Sequence, residues 1–301
     1  MKTRLMLLKL KPCVLLFFIC LLASTKLINA QKKVCITVDD LPFVSYGINT
    51  EEHLDGLTQK LINNFKAYNV PAIGYVNENK LYSQGKPDEF RVSLLEKWLS
   101  NGYELGNHTY SHIDYHKTSF QAFAQDFLKG EEIIKPLAST YGKRIKYFRH
   151  PFLRSGETKE RSDSLDVFIS SAGYKSAPVT LDSDDYLFAQ AYTKAFKQNK
   201  KALMEKIGEA YVRHTERKLI FYESLSQGLF KRDIAQTYLM HANLLNADYA
   251  DELFEMFVKN GYSFVSQSEV LTDPAYQEPI TKYGNWGISW LYRWALSQNR
   301  Q

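Results

Sequence analysis

Short apolar runs alternate with longer stretches of helical spacing along most of this chain. Val34-Cys-Ile-Thr-Val38 is a compact β-rich run that ends in two acids. Leu54, Leu57, Leu61, Ile62, Phe65 and Tyr68 then recur on one helix face, with Thr50 as the N-cap. A strand is predicted at 72–76, followed by a helix carrying Phe90, Leu94, Leu95, Trp98 and Leu99. Asn101-Gly102 stops that helix, and a short strand follows at 103–106. Residues 119–141 read as one helix bent at Pro136. A strand at 146–148, a helix at 158–173 and a strand at 174–180 come next. A long helix is expected over 189–214, then apolar runs at 218–222 and 236–240, a helix near 248–259 and a strand at 263–265.

Strands alternating with helices at this spacing predict parallel βα units. About seven such units favour an α/β fold built as a distorted parallel (β/α) barrel, in which chemistry sits at the C-terminal ends of the strands. A single catalytic domain is expected over residues 31–270, with an aromatic-rich extension at 271–301 packed on the barrel. In that extension Trp286, Trp290 and Trp294 recur every four residues, as a docked helix or a saccharide-stacking platform would have them. The stretch 180–235 exceeds what one βα unit needs and is expected to form a substrate-facing cap.

Charge changes the picture once it is divided. The chain carries 38 basic and 33 acidic residues, a formal net charge of +5. Lys2, Arg4, Lys9, Lys11 and Lys26 lie in residues 1–30, which hold no acid, so residues 31–301 are balanced. The basic excess therefore describes a leader. A positive stretch precedes the apolar core Val14-Leu-Leu-Phe-Phe-Ile-Cys-Leu-Leu-Ala23, and Ala30 offers a cleavage point, as in a secretory signal. That core is too short for the ~20 residues of a membrane-spanning helix. Export to the periplasm or the extracellular space is expected, without stable membrane insertion after cleavage. The balanced remainder gives no argument for nucleic acid as a partner. It keeps one cysteine, Cys35, so stability must come from a core rather than a disulfide.

The ionisable residues fall where a barrel would use them. Asp39 and Asp40 end the first strand, His108 and His112 follow the strand at 103–106, and Arg149 ends the strand at 146–148. Asp182 and Asp185 follow the next strand, and His241 ends the run at 236–240. His108 and His112, four apart, would share a face on one helical turn and so bind one divalent metal. Two surface or capping histidines would show the same spacing. Asp39 and Asp40 would point to opposite sides of a strand, which suits one ligand and one general base, or a turn and a helix cap. A His-His-Asp set with open positions is a catalytic rather than a structural metal site. Arg149 could hold a carboxylate by bidentate pairing, or form an ordinary salt bridge.

Taken in order, five stretches resemble the motifs of the polysaccharide deacetylase family, the NodB-homology domain of carbohydrate esterase family 4. They are Thr37-Val-Asp-Asp40, His108-Thr-Tyr-Ser-His112, Arg149-His-Pro-Phe152, Asp182-Ser-Asp-Asp185-Tyr186 and Leu239-Met-His241. The resemblance implies that Asp40, His108 and His112 hold one divalent ion, typically Zn2+, and that Asp39 is the general base. It implies His241 as the general acid, Arg149 as the residue orienting Asp39, and Asp182 as support for His241 or Arg149. The backbone N–H near Phe152 would help hold the oxyanion, and Leu239 and Tyr186 would line the acetyl pocket and the sugar groove. The implied activity is removal of N-acetyl groups from an acetylated amino-sugar polymer or oligosaccharide, peptidoglycan- or chitin-like.

The chain departs from the family pattern at several positions. Tyr186 stands for the usual Trp, Val38 for Phe and Phe152 for the commoner Tyr. Leu153-Arg-Ser-Gly156 replaces a directly following glycine, and Ala242-Asn243 follows His241 in place of an acid. These changes bear on the substrate groove more than on the chemistry. An O-acetyl (xylan) esterase, or an amidase acting on a non-carbohydrate N-acyl group, would use the same site. A carbohydrate-binding relative without catalysis would be free to lose any of these residues.

Overall fold

The structure is a computed structural model and describes residues 31–299. The leader expected at 1–30 lies outside the described residues. The centre of the fold is β1 (Lys32–Leu41), whose residues 34–39 are buried. β9 (Gln236–His241) runs parallel along one edge of β1, in a register that sets Val34 beside Gln236 and Asp39 beside His241. Along the other edge lie β10 (Tyr262–Phe264), paired with the start of β1, and β2 (Ile73–Val76), paired with its end.

From β2 the sheet continues through β5 (Glu104–Asn107), β6 (Tyr147–Phe148) and β7 (Lys175–Ser176), and beyond β9 it ends in β8 (Leu181–Asp182). These pairings are all parallel. A separate hairpin joins β3 (Tyr82–Ser83) to β4 (Lys86–Pro87). The seven-strand path from β7 to β8 is the curled parallel sheet that the alternation predicts, in one domain. It is not closed by hydrogen bonds. β7 and β8 are its two edges, and residues 177–180 carry the chain from one to the other.

Helices cover the sheet. α1 (Glu51–Ala67) starts at Thr50, whose hydroxyl accepts from the His53 N–H, and buries Leu54, Leu57, Leu61, Ile62 and Phe65. α2 (Glu89–Ser100) is capped by Asp88 and turned out by Gly102 at φ 89°. Phe65, Trp98 and Tyr103 meet with ring centroids 5.5–5.7 Å apart, locking these elements together.

The helix expected over 119–141 is two helices, α3 (Phe120–Lys129) and α4 (Ile134–Thr140). The break is at Gly130, not Pro136. A Cβ on Gly130 would lie 2.6 Å from the carbonyl carbon of Thr109, so only glycine lets the histidine-bearing loop approach. The buried Glu78 carboxylate then accepts from the N–H groups of Ile133 and Ile134, doing for α4 what an N-cap does. Pro136 sits in the first turn of α4, where its missing N–H is tolerated.

α5 (Lys159–Ser171) precedes β7. The stretch 189–222 also differs from expectation. α6 (Asp185–Lys197) and α7 (Lys201–Phe230) are separated at Asn199, which is left-handed at φ 52°, and the apolar run 218–222 lies inside α7. This pair packs on itself and on α8 (Leu244–Lys259), and both helices also touch the sheet, α6 at β9 and α7 at β8. α9 (Gln267–Val270) and α10 (Trp290–Ser297) complete the chain. Trp290 and Trp294 are buried in α10, while Trp286 precedes the helix and is half-buried. Cys35 is a free, buried thiol. No helix among the described residues is long and apolar enough to cross a membrane.

Candidate active site

The C-terminal ends of β1, β5, β6, β8 and β9 surround a cavity of about 390 Å³. Nine of the ten residues to which the resemblance assigns a role line it, and the tenth, Arg149, is buried beside it. The cavity also takes in His150, Leu153, Asp184 and Gly287.

Asp39 and Asp40 do not simply alternate across β1. The β1–β2 register slips between Val38 and Leu41, and Asp40 is left-handed at φ 67°. This turn brings both carboxylates to one cavity: His108 Nε2 is 3.8 Å from Asp39 Oδ2 and 3.7 Å from Asp40 Oδ1. Lys80 secures the strained residue, its Nζ lying 3.0 Å from the Asp40 carbonyl oxygen and 3.5 Å from Asp40 Oδ2. Such a backbone costs about 1–2 kcal/mol for a residue with a Cβ, so it persists only where neighbours hold it.

The histidine pair is not on a helix either. Residues 108–114 form a loop in which Thr109 (φ 66°) and His112 (φ 57°) are left-handed, and this fold-back brings the two rings to 4.8 Å between centroids. The loop is held by Asp126, which accepts from the Ser111 N–H and hydroxyl, and by Asn77, whose amide donates to the His108 carbonyl. His112 Nε2 lies 3.7 Å from Asp40 Oδ1, and the ligand atoms of Asp40, His108 and His112 are all within 4.8 Å of one another.

These three residues fit a divalent ion. Bonds of about 2.0–2.1 Å to one tetrahedral centre need donor atoms about 3.3 Å apart, a little less than the two 3.7 Å separations between Asp40 and the histidines. The buried Asp40 Oδ1 has no hydrogen-bond partner. His108 directs Nδ1 at the Arg149 carbonyl, 2.7 Å away, which fixes the tautomer that leaves Nε2 unprotonated. Burial holds the pKa of both histidines below the ordinary value, so both are neutral donors.

Arg149 is fully buried beside Asp39. Its Nε is 3.8 Å from Asp39 Oδ1, Nη2 donates to Thr37 Oγ1 at 2.9 Å, and the guanidinium lies 4.7 Å over the Tyr75 ring. The contact with Asp39 is an ordinary ion pair, one of the two arrangements the sequence leaves open, and Nη2 is turned to Thr37 instead. Burial pushes the Asp39 carboxyl up to about 6, although Arg149 and His241 oppose it. Asp40 moves the other way: burial is outweighed by Lys80, His112, His241 and His108, which hold it below the usual carboxylate range.

The expectation for Asp182 is corrected. Its Oδ1 accepts from the Asp184 N–H, and it makes no bond to His241 or Arg149. Asp184, left-handed at φ 54°, turns the chain into α6 and delivers Asp185 to His241 instead. Asp185 Oδ1 is 2.6 Å from His241 Nδ1, and its Oδ2 accepts from the His241 N–H and from Asn246. Burial disfavours a charged imidazole, but Asp185, with Asp40 and Asp39, outweighs it and raises His241 to about 10. The spacing Asp182-x-x-Asp185 contains both acids, and only the turn at Asp184 decides between them. Lys80 carried no motif; its place just past the end of β2 was the available signal.

The rim is aromatic. Phe152 is 52% exposed at φ 55°, its ring 4.4 Å from that of His112, and Tyr186 is 49% exposed on the other side. Leu239 forms the buried apolar wall between them.

Sequence comparison matches residues 26–168 to the polysaccharide deacetylase family. A peptidoglycan-N-acetylglucosamine deacetylase from Bacillus cereus is 27% identical over 122 residues, 40% of this chain and 37% of that protein. A chitin deacetylase from Arthroderma benhamiae is 26% identical over 95 residues, 32% of this chain and 24% of that protein. The chain thus spans well under half the length of these curated relatives. Among solved structures, a mutant of the peptidoglycan deacetylase PdaC from Bacillus subtilis superposes with a TM-score of 0.51 at 20% identity, covering 81% of this chain and 92% of that one. At that identity the likeness establishes the fold. In residues 26–168 this chain thus resembles the polysaccharide deacetylase family, and across most of its length it shares the fold of a peptidoglycan deacetylase.

Proposed function

We propose that this protein is a metal-dependent hydrolase that removes N-acetyl groups from an acetylated amino-sugar poly- or oligosaccharide of the peptidoglycan or chitin kind. The observation that carries this reading is the register of β1 and β9. It sets Asp39 beside His241, with the cluster Asp40, His108 and His112 next to them. A base and an acid thus flank one place where a reacting carbonyl can sit.

Asp40, His108 and His112 would hold the divalent ion, most simply Zn2+ given two imidazoles and one carboxylate. When bound, the ion supplies Lewis acidity toward a carbonyl and makes a neighbouring water more acidic. The residues of the chain do the rest. Asp39, ionised above about pH 6, accepts a proton from water as its oxygen forms a bond to the acetyl carbon. Arg149 fixes the direction of that carboxylate. The Phe152 backbone N–H would steady the charge developing on the carbonyl oxygen. His241, kept protonated by Asp185, gives its proton to the sugar nitrogen as the carbon–nitrogen bond breaks. Acetate and a free amine are the products. Phe152 and Tyr186 offer faces on which sugar rings can lie, and Leu239 packs against the acetyl methyl. Residues 1–30 support export, to where such polymers are found.

The test is direct. Residues 31–301 are purified, their metal content measured, and acetate release followed from chitooligosaccharides, peptidoglycan fragments and acetylated xylan. Release from an amino sugar, lost in Asp39→Asn, is the expected result. Release from xylan alone would make the protein an esterase, and release unchanged by Asp39→Asn would overturn the mechanism.

A further inference from the structure

We infer that Arg293, together with the close approach of Gly287, positions the Phe152–Leu153 backbone that walls the active cavity, so that the C-terminal segment completes the site. This rests on the deacetylase reading above, in which that backbone faces the reacting carbonyl.

The loop after β6 needs outside support. Phe152 and Leu153 are consecutive left-handed residues, at φ 55° and 53°, and neither is glycine. Two strained residues in a row do not hold themselves. Behind them lies Arg293, which is buried, and Nη2 donates to the Leu153 carbonyl at 2.6 Å. Its Nε donates to the Ile288 carbonyl at 3.3 Å, and its guanidinium rests 4.8 Å from the Trp290 ring. Among the described residues no carboxylate pairs with it. A buried arginine that spends its donors on backbone carbonyls is fixing backbone geometry.

Gly287 closes the same gap. A Cβ there would lie 1.9 Å from the Phe152 carbonyl oxygen, so the two backbones are in contact. The segment also bridges the open seam of the sheet. The Trp290 N–H donates to the Val179 carbonyl at 2.7 Å, and the Ser289 hydroxyl donates to the Thr180 carbonyl at 2.7 Å. Val179 and Thr180 belong to the link between the edge strands β7 and β8. One short segment therefore ties the seam to the loop on its other side.

The experiment compares wild type, Arg293→Met, Arg293→Lys, Gly287→Ala and Trp294→Leu. Trp294 is buried in the same helix against Phe230 and Tyr276, and it serves as a control for destabilisation alone. Steady-state acetate release and amide hydrogen exchange at Leu153 and Arg154 are measured well below each melting temperature. Arg293→Met and Gly287→Ala are expected to lower kcat by about 10- to 100-fold with KM changed less than about threefold, since displacement near 1 Å has that effect. Both should speed exchange at the two amides. Arg293→Lys should recover most of the loss, and Trp294→Leu should lower the melting temperature while kcat holds. Gly287 is exposed and its added methyl meets the Phe152 carbonyl and the Arg154 stem, so the melting temperature of its variant is measured first, and that variant decides the matter if Arg293→Met does not fold. Wild-type kcat and exchange in Gly287→Ala, or an equal kcat loss in Trp294→Leu, would overturn the inference. A wild-type protein that releases no acetate would instead sink the functional reading, and the exchange data would still judge the clamp.

Discussion

Asp185 holds His241 at two points, through the ring Nδ1 at 2.6 Å and through the backbone N–H at 2.9 Å. The imidazole can neither rotate nor slide, and its remaining nitrogen is committed to the cavity side. Asp185→Asn keeps the shape and removes the charge that raises His241 to about 10. The variant should lose about 10²- to 10⁴-fold in kcat. The alkaline limb of its pH–rate profile, which marks loss of the His241 proton, should move down toward the ordinary histidine range near 6.5. Asp182→Asn should shift that limb far less. An Asp182→Asn effect as large as that of Asp185→Asn would refute the assignment.

In the proposed mechanism the acid limb would belong to Asp39. Burial raises its carboxyl to about 6, and only the ionised form accepts a proton. Activity should therefore rise with pH up to about 6, and a dication next to the carboxylate moves this limb lower still. Asp39→Asn should remove the limb along with at least ~10² of the rate. Profiles of kcat/KM between pH 4 and 11 check both limbs together.

His112→Ala and Asp40→Asn should each strip the metal, with affinity falling at least ~10-fold, the lower bound seen for groups that only support a ligand. Elemental analysis after dialysis reads this directly. A chelator should abolish acetate release, and added divalent ion should restore it.

Gly130→Ala touches no site residue, yet its new methyl would meet the backbone of Thr109 and Tyr110 at 2.6–2.7 Å. Overpacking of this kind costs about 1–3 kcal/mol. Because Thr109 leads out of His108, the variant should also bind metal more weakly than wild type. Calorimetric melting and metal titration on one sample test both parts, and unchanged metal affinity would show that the loop is not held by this contact.

Glu78 supplies a pH effect unrelated to turnover. Burial raises its carboxyl from 4.5 to about 7, against the two N–H groups that favour ionisation. The folded form therefore keeps the Glu78 proton longer than the unfolded chain does. Its stabilising contribution is complete below pH 4.5 and is lost as pH rises to about 7. Wild type minus Glu78→Gln, measured by urea denaturation across that window, should change by up to about 3 kcal/mol in this direction. A flat difference would show that Glu78 titrates normally.

How far the sequence disclosed all this can be argued residue by residue. The apolar run before Asp39 and the spacing of Leu54, Leu57 and Leu61 are periodic signals, and both survive folding as β1 and α1. The motif residues were legible because they recur at strand ends. Their conformations were not. Asp40, His112, Phe152 and Asp184 all have positive φ, a state set by tertiary contacts such as Lys80 on Asp40 rather than by local preference. The helix breaks at Gly130 and Asn199 were hidden for the same reason: apolar spacing continues across them, while a distant backbone or a turn decides where the hydrogen bonds stop.

Lys80 has a consequence for how the protein matures. With Arg149 on Asp39 and Lys80 on Asp40, the adjacent acids at the end of β1 have built-in counter-ions. Their mutual repulsion is offset by residues of the chain itself, so this strand end would not need a bound cation in order to fold. On the proposed reading, folding and the binding of an ion would then be separable events.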